Sequence, residues 1–334
     1  MARLLFACRL LFAQPGLGGR ERVGAQIAVA AFAVLALYPA VGSDYHLAQL
    51  RDALLLAIFA LSLDYLWGRA RMLVLGHALF FGIGAYGMAI ATTRLGWPTG
   101  AGVLLGIAVA ASVAAATGYF LLYAGVRLHF FAVLTMAMSL IATQIAVSWS
   151  SVTGGDVGIL GVPPIEFSAF GLHYSGGDGT ASYYSALFLA FFAMLVLWLA
   201  CRGPYGLILE AIGSNENRAR TLGFNTARQL LIAFTAAAAL AAFAGALFAT
   251  TAGVVAPDLL GTLLSTEVMI WVAIGGRGTF IGPLLATLLV HEASQTISSL
   301  STSLWPLLLG ALFLLIVFAL PDGLVSLLRR RKEA

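Results

Sequence analysis

QLLIAFTAAAALAAFAGALFATT, Gln229 to Thr251, runs for 23 residues without one charged side chain. At about 1.5 Å per residue a helix of that length is roughly 34 Å long, enough to cross the roughly 30 Å hydrocarbon core of a bilayer. Its alanines and Gly245 offer a face on which a second helix can approach closely, which is how helices in lipid gain packing contacts. The rest of the chain has the same character. Of 334 residues, 61% are hydrophobic and 10% are charged, and the mean hydropathy is +0.97. Soluble domains carry about 25% charge, so the chain reads as an all-α polytopic membrane protein.

Outward from Gln229, similar apolar runs lie near residues 24–41, 47–66, 72–93, 101–123, 128–150, 182–201, 264–275, 279–298 and 304–320. With 229–251 they make about ten spans, or eight if 264–298 is a single crossing around a break, because 264–275 is too short to cross unaided. The loops set the orientation. Arg3, Arg9, Arg20 and Arg22 hold the N-terminus inside. Arg69, Arg71, Arg127 and the segment from Arg202 to Arg228 mark inner turns, and the run Arg329 to Lys332 ends the chain inside. Residues 151–181 hold Asp156, Glu166 and Asp178 with no lysine or arginine, as an outer loop should. Both termini are therefore expected in the cytoplasm.

Three segments follow: residues 1–23, of which 2–14 read as an interfacial amphipathic helix; a single transmembrane domain over 24–321; and a basic tail over 322–334, with affinity for anionic lipid. Cys8 and Cys201 lie near arginines on the inner side, and no disulfide framework is implied. The net charge of +4 is spread over short loops and termini, a topology signature and not a nucleic-acid surface.

Immediately upstream of the opening run stands SNENRARTLGFN, residues 214–225, the most polar stretch in the longest inner loop, 202–228. Ser214 is a suitable N-cap, Glu216 complements the helix dipole in the first turn, and Gly223 can end the helix in a left-handed conformation. Before it, GPYGLILEAIG carries Pro204 where a first helical turn tolerates it. The loop is expected to be one helix, a break and a second short helix. Ala219 and Leu222 are expected to form a small apolar patch between Asn217, Arg218 and Arg220, a surface for another protein's groove.

Polar groups inside the spans are costly and point to a pathway unless structure explains them. His77 reads as a hydrogen-bonding link between helices or as a path-lining residue. Glu267 lies near the outer end of its run, where it either snorkels or faces the path. His291 and Glu292, in HEASQ, lack the spacing of a zinc helix, and no metal is expected. Asp64 is expected to pair with Arg69 or Arg71. GGRGT, residues 275–279, is a helix break that either lines a cavity or forms a plain inner turn. Lys332 is the single lysine, so no phosphate-binding Walker loop is available and any ATP is bound by other chains. No nucleophile and base pair suggests enzyme chemistry.

ENRARTLGFN resembles the cytoplasmic coupling motif of ABC importer permeases. Within that superfamily LGHALFFGIGAY (75–86), TGGDVGI (153–159), AIGGRGTFIGP (273–283) and FALPDGL (318–324) resemble, in order, the permeases for branched-chain amino acids and their urea and amide relatives. The resemblance spans about residues 24–330. WVAIGGRGTF leans toward the urea-type members, and Pro283 and Asp156 toward the amino-acid type. It implies that Ser214, Asn215, Glu216, Asn217, Arg218, Ala219, Arg220, Leu222 and Gly223 form the helix that docks on an ATPase. It also implies a second permease subunit, two cytoplasmic ABC ATPase subunits and an extracytoplasmic solute-binding protein that meets Thr153, Gly154, Gly155 and Asp156. Path candidates are Gly76, His77, Phe81, Gly82, Gly84, Glu267, Gly275, Gly276 and Gly278. The expected function is import of branched-chain or related hydrophobic amino acids, with urea or short amides as the alternative. The rival from another class is a stand-alone secondary transporter working through Glu267 and Glu292.

Overall fold

The computed structural model describes residues 19–40, 42–126, 128–169, 172–175, 179–300 and 310–311. The chain is mostly helical. In order come α1 (Gly19–Leu37) with a 3-10 turn, α2 (Asp44–Asp64) running into a π-helical turn (Tyr65–Ala70), α3 (Ala78–Thr93), α4 (Thr99–Tyr123), α5 (Leu128–Ser148) and the single turn α6 (Ser150–Thr153). After β1 (Ile159–Leu160), β2 (Glu166–Ala169) and β3 (Leu172–Ser175) come α7 (Gly179–Arg202), α8 (Pro204–Ser214), α9 (Glu216–Thr221) and α10 (Thr226–Ala252). Then follow β4 (Val254–Val255), a 3-10 turn (Pro257–Leu260), α11 (Thr262–Gly275) and α12 (Ile281–Leu300).

Among the described residues five helices are long and apolar enough to cross a membrane, Asp44–Ala70, Thr99–Tyr123, Phe130–Ser148, Gly179–Arg202 and Thr226–Ala252, with shorter apolar helices at Gln26–Leu37, Ala78–Thr93 and Thr262–Gly275. The expected run 304–320, the interfacial helix 2–14 and the basic tail lie outside the described residues except for 310–311. Residues 264–298 form two helices that turn back on one another, α11 against α12. At that turn a methyl on Gly275 would strike the main chain of Gly282 and Pro283.

Helix α10 is the central post, packed on α2, α3 and α4. Its seam with α3 and α4 is made of glycines: a methyl on Gly84 would meet Ala242, one on Gly245 the carbonyl of Phe81, and one on Gly106 the carbonyl of Gly84. Close main-chain approach replaces side-chain burial here, as lipid-embedded packing requires. Below the seam Phe80 and Phe131 set their edges against Phe234, with ring centroids 5.3 and 5.1 Å away.

The apolar run at 72–93 is not one helix. The π-helical turn ends with Arg71 in the left-handed region, φ 51°. Residues 71–77 then travel without regular helix, and α3 starts only at Ala78. Hydropathy reports which residues avoid water, and an extended apolar strand buried among helices looks the same as a helix.

That late start fixes depth. Gly106 lies seven residues into α4 and packs on Gly84, about 10 Å along the helix from the start of α4. Ala78 is six residues, about 9 Å, deeper. The Ala78 amide donates to Ser265 Oγ at 3.0 Å, and Leu260 packs on Gly82. The first turns of α3 and α11 therefore meet near the level of the middle of α4.

Candidate coupling surface and translocation path

The loop from Arg202 to Arg228 is ordered. Arg202 lies over the Trp198 ring at 3.8 Å. Pro204 occupies the first turn of α8, which buries Leu209 and Ile212 and leaves Leu207 exposed. The close fit of Gly206 on Cys201 main chain sets the angle between α7 and α8. Tyr65 Oη donates to Tyr205 Oη at 3.3 Å, and Tyr205 Oη donates to the Gln229 carbonyl at 3.4 Å. Burial pushes the Tyr205 phenol above its ordinary value, so it stays a neutral donor.

Ser214 does not cap the second helix. It ends α8, its hydroxyl donating to the Ala211 carbonyl at 2.8 Å. The cap is Asn215, in extended conformation (φ −160°, ψ 100°), whose Oδ1 accepts the Arg218 amide at 3.0 Å. Asparagine and serine cap about equally well, so the choice falls to the residue at which the chain must leave α8. Glu216 accepts from Arg220 Nη2 at 2.6 Å and from Thr226 Oγ1 at 3.1 Å, and Arg220 Nε donates to Thr226 Oγ1 at 2.9 Å. The triad ties α9 to the first turn of α10, which Asn225 caps by accepting the Arg228 amide. Gly223, φ 90°, stops α9 as its sequence suggested.

Ala219 and Leu222 do not share a patch. Ala219 is 2% exposed and seats α9 on its own chain, whereas Leu222 is 71% exposed. The outward surface consists of Leu222 and Phe224, with Asn217 and Arg218 exposed beside them.

The path candidates divide in two. Gly76, Gly82 and Gly84 are close-packing points against Thr135, Leu260 and Ala242, and Phe81 sits between Phe59 and Phe248 at 4.8 and 5.7 Å. His77 is fully enclosed, stacked on Phe59 at 5.3 Å, with Nε2 2.7 Å from Ser62 Oγ. Because Ser62 gives its proton to the Phe59 carbonyl at 2.6 Å, His77 Nε2 is the donor of that pair, and Nδ1 has no partner among the described residues. Glu267 differs. It is half-buried, its neighbours Leu263 and Thr266 are exposed, and it has no polar partner among the described residues. Placed two residues beyond Ser265, it sits in the first half of α11, near the level of the middle of α4. The 3-10 turn before α11 carries the chain inward before the helix starts, which an apolar run cannot reveal.

Gly275, Gly276 and Gly278 form the turn between α11 and α12, with Gly276 at φ 98° and Gly278 at φ 76°. Among the described residues no arginine lies within ion-pair distance of Asp64. Its Oδ1 accepts the Gly278 amide at 2.5 Å and its Oδ2 the Phe280 amide at 3.0 Å. Arg69 instead lies over the Phe280 ring at 5.6 Å, and Arg277 over Trp67 at 4.9 Å. A lone aspartate four residues before a glycine, in an otherwise apolar run, was the available signal.

At the opposite face Thr153 Oγ1 donates to the Ala146 and Trp149 carbonyls, 2.6 and 2.8 Å away. Gly154 and Gly155 take positive φ, and Asp156 is exposed. Gly158 packs on the Val255 carbonyl, and the antiparallel pairs Ile159 with Val255 and Leu160 with Val254 join this loop to the connection between α10 and α11.

A family model described as branched-chain amino acid transport system / permease component matches residues 45–317. The chain is 31% identical over 293 residues to the high-affinity branched-chain amino acid transport system permease protein LivM of Escherichia coli K12, covering 81% of this chain and 68% of that protein. It is 29% identical over 140 residues to LivH, a permease protein of the same-named system, from Salmonella typhimurium, covering 41% of this chain and 45% of LivH. Over 119 residues it is 29% identical to the autoinducer 2 import system permease protein LsrC of Salmonella typhi, 34% of each chain. No solved structure matches.

Proposed function

We propose, from the premise that this chain belongs to the family of branched-chain amino acid transport permease components, that it moves branched-chain or related hydrophobic amino acids into the cytoplasm. It is a permease subunit of an ABC importer and a multi-pass inner-membrane protein. In our reading it has about ten spans with both termini cytoplasmic, and it pairs with a second, homologous permease subunit. The path runs between the two. Two separate ABC ATPase subunits bind and hydrolyse the ATP, this chain holds no nucleotide, and a solute-binding protein delivers substrate to the face carrying Thr153 to Asp156.

The observation that carries this reading is α9. A two-turn helix with a capped start, an internal ion pair and a glycine stop is braced on its own chain by Ala219, yet presents Leu222 and Phe224 outward. A mere link between spans needs none of that order. On the membrane side, the outward strip of α11 with Leu263, Thr266 and Glu267 is assigned to the path, since a carboxylate in an apolar membrane segment belongs against water or protein, not lipid.

The test is a site-directed crosslink from Asn217→Cys, in a Cys8→Ser, Cys201→Ser background, in native membranes. An adduct containing a P-loop ATPase is the expected outcome. A reactive, accessible cysteine that captures no ATPase would move the reading to a stand-alone transporter.

A further inference from the structure

The Asp64 carboxylate is fully buried, and both its oxygens are used on main-chain amides of a single loop, that between α11 and α12. A buried charge is costly unless hydrogen-bonded in full, so the loop and the end of α2 are held as one body. Glycines on both sides make this possible. A methyl on Gly68 would strike the main chain of Gly278.

The same π-helical turn is gripped from its other side by the coupling loop. A methyl on Gly213 of α8 would stand 2.9 Å from the Arg69 carbonyl oxygen and 3.1 Å from Ala70 main chain. Arg69 Nη1 lies 3.9 Å from Glu210 Oε2 of α8, while its guanidinium covers Phe280 of the α11–α12 loop. Tyr65 bonds Tyr205 of α8. One turn of six residues thus touches both α8, which runs directly into α9, and the loop that follows α11, a helix that carries Glu267 some 12 Å from its last residue at about 1.5 Å per residue. π-Helical turns of this kind recur at functional positions.

We propose that Asp64 is a positioning residue for transport: by clamping the α11–α12 loop to the Tyr65–Ala70 turn it makes a displacement of α8 and α9 move α11. This inference rests on the reading that α9 docks on an ATPase. Asp64 touches neither substrate nor ATPase, and it acts through the loop it holds.

The experiment uses the complete importer, with its second permease, ATPase subunits and solute-binding protein, in proteoliposomes. Leucine uptake and ATP hydrolysis are measured together. Asp64→Asn keeps the shape of the side chain but turns an amide NH2 toward one of the two loop amides. Gly213→Ala pushes α8 off the turn without touching the core. With assembly and ATP hydrolysis near wild type, each variant is expected to lower leucine carried per ATP hydrolysed by about tenfold, the effect of losing roughly one charge-assisted hydrogen bond in the moving state. A purely structural role would lower both rates together, in proportion to assembled complex, and would overturn the proposal. A wild-type ratio in both variants would overturn it as well. If Asp64→Asn fails to assemble, Gly213→Ala decides. Wild-type protein that binds no ATPase would remove the underlying reading and this inference with it, whereas a coupled wild type with coupled variants removes the inference alone.

Discussion

A single methyl group separates two kinds of glycine in this chain. Gly84 faces Ala242 main chain, and an alanine there has no room, whereas Gly100 has nothing within 4 Å. Gly84→Ala is expected to destabilise the α3–α10 seam by about 1–3 kcal/mol, as overpacking generally does, and Gly100→Ala to be neutral. Thermal inactivation midpoints of the purified permease in detergent check both. Glu267 offers a second test. Glu267→Gln keeps the side chain's size while removing the charge, and is expected to cut uptake about tenfold if that carboxylate accepts from the N–H groups of a passing solute, with ATPase association unchanged. Equal uptake by the glutamine variant would remove Glu267 from the path. Residues such as Asp64 and Glu267 stand out in the sequence as charges in apolar runs, but their roles were not legible there. Asp64 takes partners more than 200 positions away, and the depth of Glu267 depends on a 3-10 turn folding inward against Gly82.

At the scale of elements, α9 is short enough that its cap matters. Asn215→Ala should cost about 1 kcal/mol of local helix stability, read as faster hydrogen exchange over residues 216–221, and should weaken ATPase association about fivefold if the helix must be formed to dock. Leu222→Asp should leave exchange unchanged and abolish association, because that side chain points away from its own chain. α9 itself was legible from Glu216 and Gly223, and α4 and α10 from unbroken apolar runs. The cap moved by one residue because serine and asparagine are near-equal caps and the geometry of α8 chooses between them. The beginning of α3 was hidden for another reason: MLVLGH, residues 72–77, is as apolar as the helix that follows, and the left-handed Arg71 that breaks the run is not a residue type that announces a turn.

Across the whole molecule, the two-rung ladder between β1 and β4 joins the loop at Thr153–Asp156 to the connection leading into α11. Leu160→Cys with Val254→Cys, in the background lacking Cys8 and Cys201, places two cysteines at directly paired positions, where Cβ atoms lie about 4.5–5.5 Å apart. Oxidation is expected to stop uptake and reductant to restore it if that connection moves during transport. Uptake unaffected by a formed disulfide would mean the outer loop and α11 travel together. The unwound stretch 71–77 has a consequence for how the protein is made. Its main-chain groups cannot face lipid, since unpaired amides and carbonyls in hydrocarbon cost several kcal/mol each, and α3 alone is about 24 Å long, too short to rest across the bilayer. The groups that meet it and the start of α3, Thr135 on α5 against Gly76 and Ser265 on α11 taking the Ala78 amide, are synthesised later. During biosynthesis α3 must therefore wait, sheltered by the insertion machinery or tilted beside α2, until the second half of the chain arrives, and a nascent chain halted before α10 would be a substrate for membrane quality control.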